Sequence, residues 1–311
     1  MTSLAGLIIN PKQELNMSSK TDVVIIGGGP AGLTAALTLA RGGRSIIVMD
    51  NGKPRNAPAK HMMNFPSREG IPPQEFKKLI LRDLSVYKEF RLKKSQVHSV
   101  KRTEYGFRIN DEIECKKIIL AHGVQDILPP IPGMKELWGI SLHHCPYCHG
   151  HEYKSGAIGL IGNGEYGTHM GAIVKGLSDD LILFTNGDSN INHKLFDKNG
   201  IKVYTDKIVE LDLHKGFLQA VKLSSGDAVE RVSLYIKPEQ KLSSLVGVEL
   251  GCELTEMGLL KVDAMGMTTQ TGIYAAGDIM EPRQSVVLAC ASGMAAAASA
   301  NYSIMSENFT S

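Results

Sequence analysis

Residues 21–50 read TDVVIIGGGPAGLTAALTLARGGRSIIVMD, and this stretch decides the fold. It begins with an apolar run of strand length, breaks at glycines and continues with helical spacing. It ends in a second apolar run, SIIVMD, whose last residue is Asp50. The pattern therefore predicts a strand, a helix and a second strand, with Gly27, Gly29 and Gly32 spaced as G-x-G-x-x-G between the first strand and the helix.

Each residue of this motif has a role in binding a dinucleotide. The glycines allow a tight turn and a close approach of the backbone to a pyrophosphate, whose charge meets the helix N-terminus. Asp50 lies at the end of the second strand, where a carboxylate can accept a ribose hydroxyl. A glycine-rich structural turn is the alternative, but the strand, the helix and the acidic strand end together favour dinucleotide binding.

The pattern occurs a second time in residues 155–187, SGAIGLIGNGEYGTHMGAIVKGLSDDLILFTNG. Gly162, Gly164 and Gly167 repeat the spacing between a short apolar strand and a helix. The sequence thus predicts an α/β fold with two doubly wound, Rossmann-like dinucleotide-binding domains. Two such folds in one chain suggest an oxidoreductase with two cofactors, one of them a flavin.

Residues 143–152, HHCPYCHGHE, contain the motif C-x-x-C-H, which is typical of c-type haem attachment, half a zinc site or a redox dithiol. Haem attachment would normally require export, and zinc would need further ligands such as His143, His144 or His151. A redox dithiol is favoured, because an isolated C-x-x-C in a reducing compartment is more often catalytic or metal-binding than structural. The other three cysteines, at 115, 252 and 290, are predicted to be buried as small apolar side chains.

The composition excludes several partners. The formal charge is +2 with no block of like charges, which argues against nucleic acid or an anionic membrane as a partner. No apolar stretch approaches the ~20 residues of a membrane span, and no secretory signal opens the chain. We therefore expect no membrane span and a cytoplasmic protein, in which residues 1–19 form a flexible N-terminal extension.

From about residue 20 onward, the chain resembles the low-molecular-weight thioredoxin reductases, a family of flavoproteins. The matching segments are GGGPAG, the strand end AHG, CPYCHG, and YAAGDI followed by RQ. The resemblance implies an FAD-binding domain over residues 20–125 and 244–311, an inserted NADPH-like domain over residues 126–243 that carries the redox dithiol, and a homodimer.

The same resemblance implies roles for individual residues. Cys148 would exchange electrons with the flavin, Cys145 would meet the substrate, and His149 stands where these reductases usually carry an aspartate acid/base. An imidazole beside the pair agrees with the chemistry, since a thiolate is the attacking species and a histidine titrates near neutral pH. The residues implied in FAD binding are Gly27, Gly29, Gly32, Asp50, Gly123, Asp278, Arg283 and Gln284.

The chain departs from the family in its second dinucleotide fold. Thioredoxin reductases carry a basic cluster after the second strand of that fold to hold the 2′-phosphate of NADPH, whereas this chain has no arginine between Arg108 and Arg231. Thr185 and Asn186 also replace the acidic residue that would bind the ribose of NADH. We therefore expect a thiol-disulfide oxidoreductase that does not use NADPH and that exchanges electrons with oxygen or ferredoxin.

Two alternatives remain open at this stage. One is a conventional NADPH-dependent thioredoxin or disulfide reductase, for which His193 and Lys194 would supply positive charge. The other is a flavin redox sensor without enzymatic activity. The substrate is expected to be a dithiol or disulfide, either a small molecule or a thioredoxin-like protein.

Overall fold

The computed structural model describes residues 19–187 and 189–310, and within these ranges the chain alternates between strands and helices. The strands are β1 Ser19–Ile26, β2 Ile46–Asp50, β3 Phe90–Lys94, β4 Val100–Thr103, β5 Gly106–Ile109, β6 Ile113–Leu120, β7 Val124–Ile127, β8 Leu142–His143, β9 Ile158–Ile161, β10 Leu181–Phe184, β11 Lys202–Tyr204, β12 Ile208–His214, β13 Phe217–Leu223, β14 Ala228–Glu230, β15 Ser233–Ile236, β16 Glu239–Leu242 and β17 Ile273–Ala275. The helices are α1 Pro30–Arg41, α2 Pro73–Leu84, α3 Met134–Leu137, α4 Pro146–His149, α5 Gly164–Lys175, α6 His193–Lys198, α7 Val246–Glu249 and α8 Val286–Thr310. Residues 1–18 of the predicted N-terminal extension lie outside the described residues.

The chain divides into two compact units. Of the described residues, the first comprises 19–52, 81–123 and 244–310, and the second comprises 53–80, 124–187 and 189–243. The second unit is thus an insertion into the first, as the sequence predicts. Residues 53–80 group with the inserted unit, whereas the sequence places them in the FAD-binding domain.

Contacts inside the second unit explain this grouping. Arg55 forms a two-pronged ion pair with Asp126, with both nitrogen–oxygen distances at 2.7 Å. Pro58 packs so closely on Gly139 that a Cβ added to the glycine would lie 3.1 Å from the proline Cβ. Lys60 stacks its ammonium 5.2 Å from the ring centroid of Phe217. These contacts join residues distant in sequence, so no local pattern predicts them.

The first unit is built on a sheet ordered β3-β2-β1-β6-β5-β4, with β17 pairing β6. β1 pairs in parallel with both β2 and β6, so it is a central strand. Its residues Val23, Val24 and Ile25 are completely buried, because both faces of a parallel strand are covered. The neighbouring strands β2 and β6 lie on opposite sides of β1, so the crevice at their carboxyl ends is the expected ligand site of this fold.

α8 closes the first unit along α1. Its buried face consists of alanines and Gly293, with Ile304 near the end, and Gly293 packs so tightly that a Cβ there would lie 2.2 Å from the carbonyl oxygen of Ala31. By length and composition alone α8 would also be able to cross a membrane, with 25 residues and a mean hydropathy of 1.2 over its tested window. The absence of a membrane span therefore stays a prediction.

The second unit contains a parallel sheet ordered β11-β10-β9-β15-β8. β9 and β10 pair in parallel, as expected for the second repeat of the motif, and β15 continues the sheet on the other side of β9. A three-stranded antiparallel sheet, β12-β13-β14, and the pair β16-β7 complete the unit. The predicted fold class, two Rossmann-like domains in an α/β protein, is confirmed.

Candidate active site

Cys145 and Cys148 form a disulfide across the single turn of α4, with their Cα atoms 5.3 Å apart. The turn follows β8, whose Leu142 pairs with Leu234 of β15, so the sheet delivers the cysteines at the carboxyl end of a strand. The N–H groups of Cys148 and His149 both donate to the carbonyl of Cys145. The pair predicted from C-x-x-C is therefore a redox-capable disulfide, and both cysteines are partly exposed.

His149 ends this turn and packs on a second imidazole. Its ring is stacked on that of His143 at a centroid distance of 4.4 Å and an interplanar angle of 10°. His143 is 3% exposed and also contacts the rings of Tyr153 and Tyr235. The Tyr235 hydroxyl donates to the backbone oxygen of His149 at 3.2 Å. Residues of β8 and β15 thus pack against His149, the residue that follows the disulfide.

The three histidines near the disulfide share one electrostatic property. Burial lowers the pKa of His149 below its ordinary value, and the Glu152 carboxylate opposes that shift. Burial lowers the pKa of His143 to about 3 and that of His144 to about 4. The Arg55 guanidinium also lowers the pKa of His144, while Asp126 raises it. At neutral pH the neutral form therefore dominates for all three, and a neutral imidazole is able to accept a proton from a thiol.

In the first unit, the glycine loop between β1 and α1 is tightly packed at two of its glycines and open at a third. A Cβ on Gly27 would lie 2.3 Å from the Ala121 oxygen, and one on Gly32 would lie 1.9 Å from the Gly27 oxygen. A Cβ on Gly29, by contrast, would meet no described heavy atom within 4 Å. α1 begins without a side-chain cap or an acidic residue among its first described residues, so its N-terminus offers free N–H donors to an anion.

The sequence matches the pyridine nucleotide-disulphide oxidoreductase family over residues 21–298. This chain belongs to that family. The match covers the glycine loop, the disulfide turn and α8 as far as residue 298, so it includes both units.

Individual relatives place this oxidoreductase among proteins resembling thioredoxin reductases. The thioredoxin reductase tcpT of Claviceps purpurea is 32% identical over 85% of this chain and 88% of its own length. The thioredoxin reductase of Bacillus subtilis is 26% identical over 90% of this chain and 94% of its own length. A solved oxidoreductase of Agrobacterium tumefaciens superposes with a TM-score of 0.86, at 34% identity over 92% of this chain and 99% of that one. The protein is an oxidoreductase of this kind, and the family binds FAD.

The residues at the first loop fit FAD. Asp50 ends β2 against Gly28, where a Cβ would lie 2.8 Å from the Asp50 carboxylate oxygen, so the carboxylate stands beside the loop. Gly123 follows β6 with a φ of +68°, and the neighbouring His122 Cα would lie 2.9 Å from a Cβ on Gly27. The open helix end, the packed glycines and the nearby carboxylate are what a pyrophosphate and a ribose require.

Three further residues predicted to contact FAD follow β17. Asp278 lies in a short 3-10 turn, and the preceding Gly277 would place a Cβ 2.9 Å from the Ala31 Cβ, so this turn lies beside the start of α1. Arg283 forms an ion pair with Glu281 at 2.7 Å, and its side chain is 73% exposed. Gln284 has a φ of +32° just before α8. The assignment of all three to FAD stays a prediction.

The second glycine loop of this oxidoreductase is closed by its own side chains. The Asn163 side-chain oxygen accepts from the N–H groups of Gly164 and Asn190, at 2.9 and 2.7 Å. Glu165 places a carboxylate in the first turn of α5. A pocket of about 460 Å³ lies here, lined by Gly164, Glu165, Thr168, His169, Asn190, Ile191 and Asn192.

Sequence reasoning missed the residues that surround the disulfide turn from other parts of the chain. Arg55 and Asp126 are paired, Gln240 donates to Asp126 at 2.9 Å, and Trp138 packs on His144 at 5.8 Å. No spacing signal connects them, since Arg55 and Asp126 are 71 residues apart. Within the described ranges, no group of three His, Cys, Asp or Glu side chains is placed to hold a metal ion. Cys115 and Cys252 are buried as predicted, and Cys290 is partly buried.

Proposed function

We propose that this protein is an FAD-dependent thiol-disulfide oxidoreductase that works without NADPH and exchanges electrons with a partner such as oxygen or ferredoxin. In this proposal Cys145 meets the substrate, Cys148 exchanges electrons with FAD, and His149 moves the proton. The proposed direction is oxidation of a substrate dithiol to a disulfide.

The thiol chemistry uses only groups of the disulfide turn. A substrate thiolate attacks the sulfur of Cys145, the Cys145–Cys148 bond breaks, and Cys148 leaves as a thiolate. The second substrate thiol then attacks the mixed disulfide, which forms the substrate disulfide and releases Cys145. His149, neutral at the outset, accepts a substrate proton and makes the attacking species a thiolate. Bound FAD supplies the two-electron acceptor that restores the protein disulfide.

One observation carries the proposal that NADPH is not the electron donor. Arg231, the first arginine after Arg108 in the chain, is buried at the start of β15 and pairs with Asp180 at 2.6 Å. Its guanidinium also donates to the carbonyls of Asp180 and Ile158, which stand at the start of β10 and β9. This is the amino edge of the sheet, whereas a dinucleotide binds at the carboxyl edge. The planar guanidinium of Arg231, the kind of group best suited to bind a 2′-phosphate, is therefore engaged at the opposite edge of the sheet from the dinucleotide site.

The charge at the carboxyl edge supports the same proposal. Among the described residues that line the pocket, Glu165 is the one Asp, Glu, Lys or Arg, and its carboxylate is negative. A carboxylate in the first turn of α5 repels the phosphates that a helix N-terminus would otherwise attract. The Asn163 side chain already accepts from the N–H group of Gly164 in this loop and from that of Asn190 in the segment between β10 and α6.

NADPH-dependent reduction is the second candidate, and one contact favours it. The side chain of Lys207 lies against Gly187, where a Cβ would be 3.6 Å from the lysine Cγ. Gly187 follows the end of β10, so this ammonium is close to the position where a 2′-phosphate would be bound. His193, by comparison, bonds the Ser189 hydroxyl at 2.7 Å.

An anaerobic titration of the purified yellow protein separates the two candidates. Flavin absorbance near 450 nm is followed on adding NADPH, then NADH, then dithiothreitol. Bleaching by the dithiol alone is the expected result, followed by reoxidation on admitting oxygen or oxidised ferredoxin. Rapid bleaching by NADPH would overturn the proposal, and the variant Lys207→Met would then show whether that lysine supplies the phosphate contact.

Variants of the disulfide turn test the assigned roles. Cys148→Ser is expected to abolish flavin reduction by dithiol, while His149→Ala slows it by about 10²- to 10⁴-fold with FAD still bound. The exposed neighbour His151→Ala serves as the matched control and should react like the wild type. Normal turnover by the Cys148→Ser protein would disprove the mechanism.

A further inference from the structure

The His143 ring is held in place from three sides. β8 fixes its backbone against β15, since His143 pairs with Tyr235 in the parallel register. Its ring faces the backbone of Ile140, which raises the pKa of His143 against the larger effect of burial, and the Ile140 carbonyl accepts from the Tyr153 hydroxyl at 2.6 Å. The remaining face lies against His149. The imidazole plane of His143 is thus fixed before the disulfide turn begins.

His143 carries an energetic cost that packing alone does not explain. Its Nε2 atom is buried and has no hydrogen-bond partner among the described residues. An unpaired buried polar atom destabilises the folded state, and an aromatic hydrocarbon ring would fill the same space without that cost. A histidine here keeps the polar contact with the Ile140 backbone, which a phenylalanine would lose, so the cost is linked to orienting the ring.

We propose that His143 is a positioning residue for His149. Its anchored ring is the platform on which the His149 imidazole stacks, and it fixes the plane in which His149 exchanges a proton with the cysteine pair. The inference rests on the proposed function, in which His149 is the proton carrier. The stacking itself is independent of that function and is tested separately below.

The groups around His149 support a platform that stays uncharged. Besides His143, the titratable groups that face it are His144 on the preceding segment, Glu152 on the following turn and Tyr235 on β15, while Tyr153 lies against the His143 ring. Burial keeps the pKa of His143 far below neutrality, so a proton gained during turnover resides on His149. A neutral aromatic face beneath an imidazolium is also a favourable cation–π arrangement.

A double-mutant cycle tests whether His143 acts through His149. Flavin reduction by dithiothreitol is measured anaerobically in a single turnover from pH 5 to 9, for His143→Leu and His143→Phe, each with His149 intact and with His149→Ala. We expect His143→Leu to slow the reaction about tenfold when His149 is present and less than about twofold when it is absent. His143→Phe, which keeps the stacked ring without its anchor, should give an intermediate rate.

A matched control measures the effect of losing any stacked ring. Tyr204→Leu removes a ring stacked on Phe184 at 5.7 Å and 13°, in the same unit. It is expected to lower the midpoint of urea unfolding, followed by Trp138 fluorescence, as His143→Leu does. It should leave the rate and pH profile of flavin reduction within about twofold of the wild type. An equal rate loss for His143→Leu with and without His149 would overturn the proposal.

The state of the His149 ring gives a readout that does not require turnover. The ring carbon–proton signals of His149 are recorded by NMR in the oxidised protein, with the contact to the His143 ring protons. In His143→Leu, loss of the contact together with rotational averaging of the His149 ring signals would support the platform. Failure of dithiols to reduce the flavin would reject the proposed function but not the platform. An unchanged His149 ring would reject the platform.

Discussion

The chain uses the G-x-G-x-x-G motif twice, and the two loops differ in how the following helix begins. At the first loop α1 starts without a side-chain cap and without an acid in its first turn. At the second loop Asn163 caps α5 and Glu165 follows directly. The same spacing therefore produces one helix end that is open to an anion and one that is closed by its own residues.

Packing differs between the two loops as well. A Cβ on Gly32 would lie 1.9 Å from the Gly27 oxygen, but a Cβ on Gly167 would lie 3.3 Å from the Gly162 carbonyl carbon. The first distance is impossible without moving the backbone, while the second is only a tight contact. Glycine spacing indicates the fold in both places, and we propose that the residues between the glycines decide whether a dinucleotide is held there.

The largest expected difference between the loops is in FAD content after a glycine of each is replaced by alanine, which adds one methyl group. Gly32→Ala should reduce the FAD bound per protein at least about tenfold, because the loop must shift away from the geometry that holds the pyrophosphate. Gly167→Ala should change FAD content less than about twofold. The measurement is the ratio of flavin to protein absorbance after purification.

Far-ultraviolet circular dichroism serves as the folding control for both variants, because Trp138, the only tryptophan, lies in the second unit and therefore reports on Gly167→Ala but not on Gly32→Ala. A Gly32→Ala protein that retains full FAD, or a Gly167→Ala protein that loses it, would contradict the proposed difference between the loops.

The second prediction compares the acid sensitivity of the two units. The pKa of His122 in the first unit is lowered to about 4, and in the second unit those of His143 and His144 are lowered to about 3 and about 4. Below pH 6.5 the unfolded chain binds more protons than the folded one, so the stability present at pH 7 is lost as the pH falls toward these values. The loss between pH 7 and pH 5 is on the order of 2 kcal/mol per histidine.

Urea unfolding at the two pH values distinguishes the units. Trp138 fluorescence follows the second unit, and release of fluorescent FAD follows the first. The second unit, in which burial lowers the pKa of His149 as well as those of His143 and His144, should lose at least about twice as much stability as the first. His144→Phe should reduce the loss in the second unit, while the exposed His151→Gln should not. Equal losses in both units would show that these histidines do not control the difference.

The sequence predicts the first loop well because its signals are local. β1, α1 and β2 follow from adjacent residues, and Gly27, Gly32 and Asp50 are brought together by the strand order that this pattern implies. The disulfide is equally local, since Cys145 and Cys148 belong to one turn. Local spacing thus accounts for the fold and for the two chemical centres.

The surroundings of the disulfide were not predictable in the same way. Tyr235 reaches the His149 backbone from 86 residues away, and Arg55 reaches Asp126 from 71. Neither pair has a periodicity, and a two-residue strand such as β8 has too few residues to show alternation. His143 and His144 were noted beside the cysteines, but only the packing shows which of them stacks on His149.

The third prediction concerns Arg231, the buried arginine at the amino edge of the second unit's parallel sheet. Arg231→Met should destabilise this unit by about 1–3 kcal/mol, because it leaves the buried carbonyl of Ile158 without that donor and removes the ion pair with Asp180. Lys175→Met, which breaks the exposed pair with Asp179, should cost less than about 1 kcal/mol. Both are measured by urea unfolding with Trp138 fluorescence.

The same variant sharpens the comparison of the loops. If Arg231 serves only the amino edge of the sheet, then Arg231→Met should leave the response of the flavin to NADPH unchanged. A change in that response, at unaltered FAD content, would mean that this arginine does influence nucleotide binding.

The smallest expected effect comes from the charge at the second loop. Glu165→Gln removes the carboxylate from the first turn of α5, which makes this helix end more like that of α1. A charge near a helix terminus is worth about 0.3–1 kcal/mol at low ionic strength, so ADP should bind the FAD-saturated protein about two- to fivefold more tightly. Isothermal titration at low salt measures this, with the exposed Asp197→Asn on α6 as a control of equal charge.

The gain should remain small because the Asn163 side chain still accepts from the N–H groups of Gly164 and Asn190. It should also disappear at about 1 M salt, where charges are screened beyond about 3 Å. A gain equal to that of Asp197→Asn would assign the effect to net charge instead of to the helix end. ADP binding that is already tight in the wild type would contradict the closed loop itself, because the cap and the carboxylate together would then not exclude a phosphate.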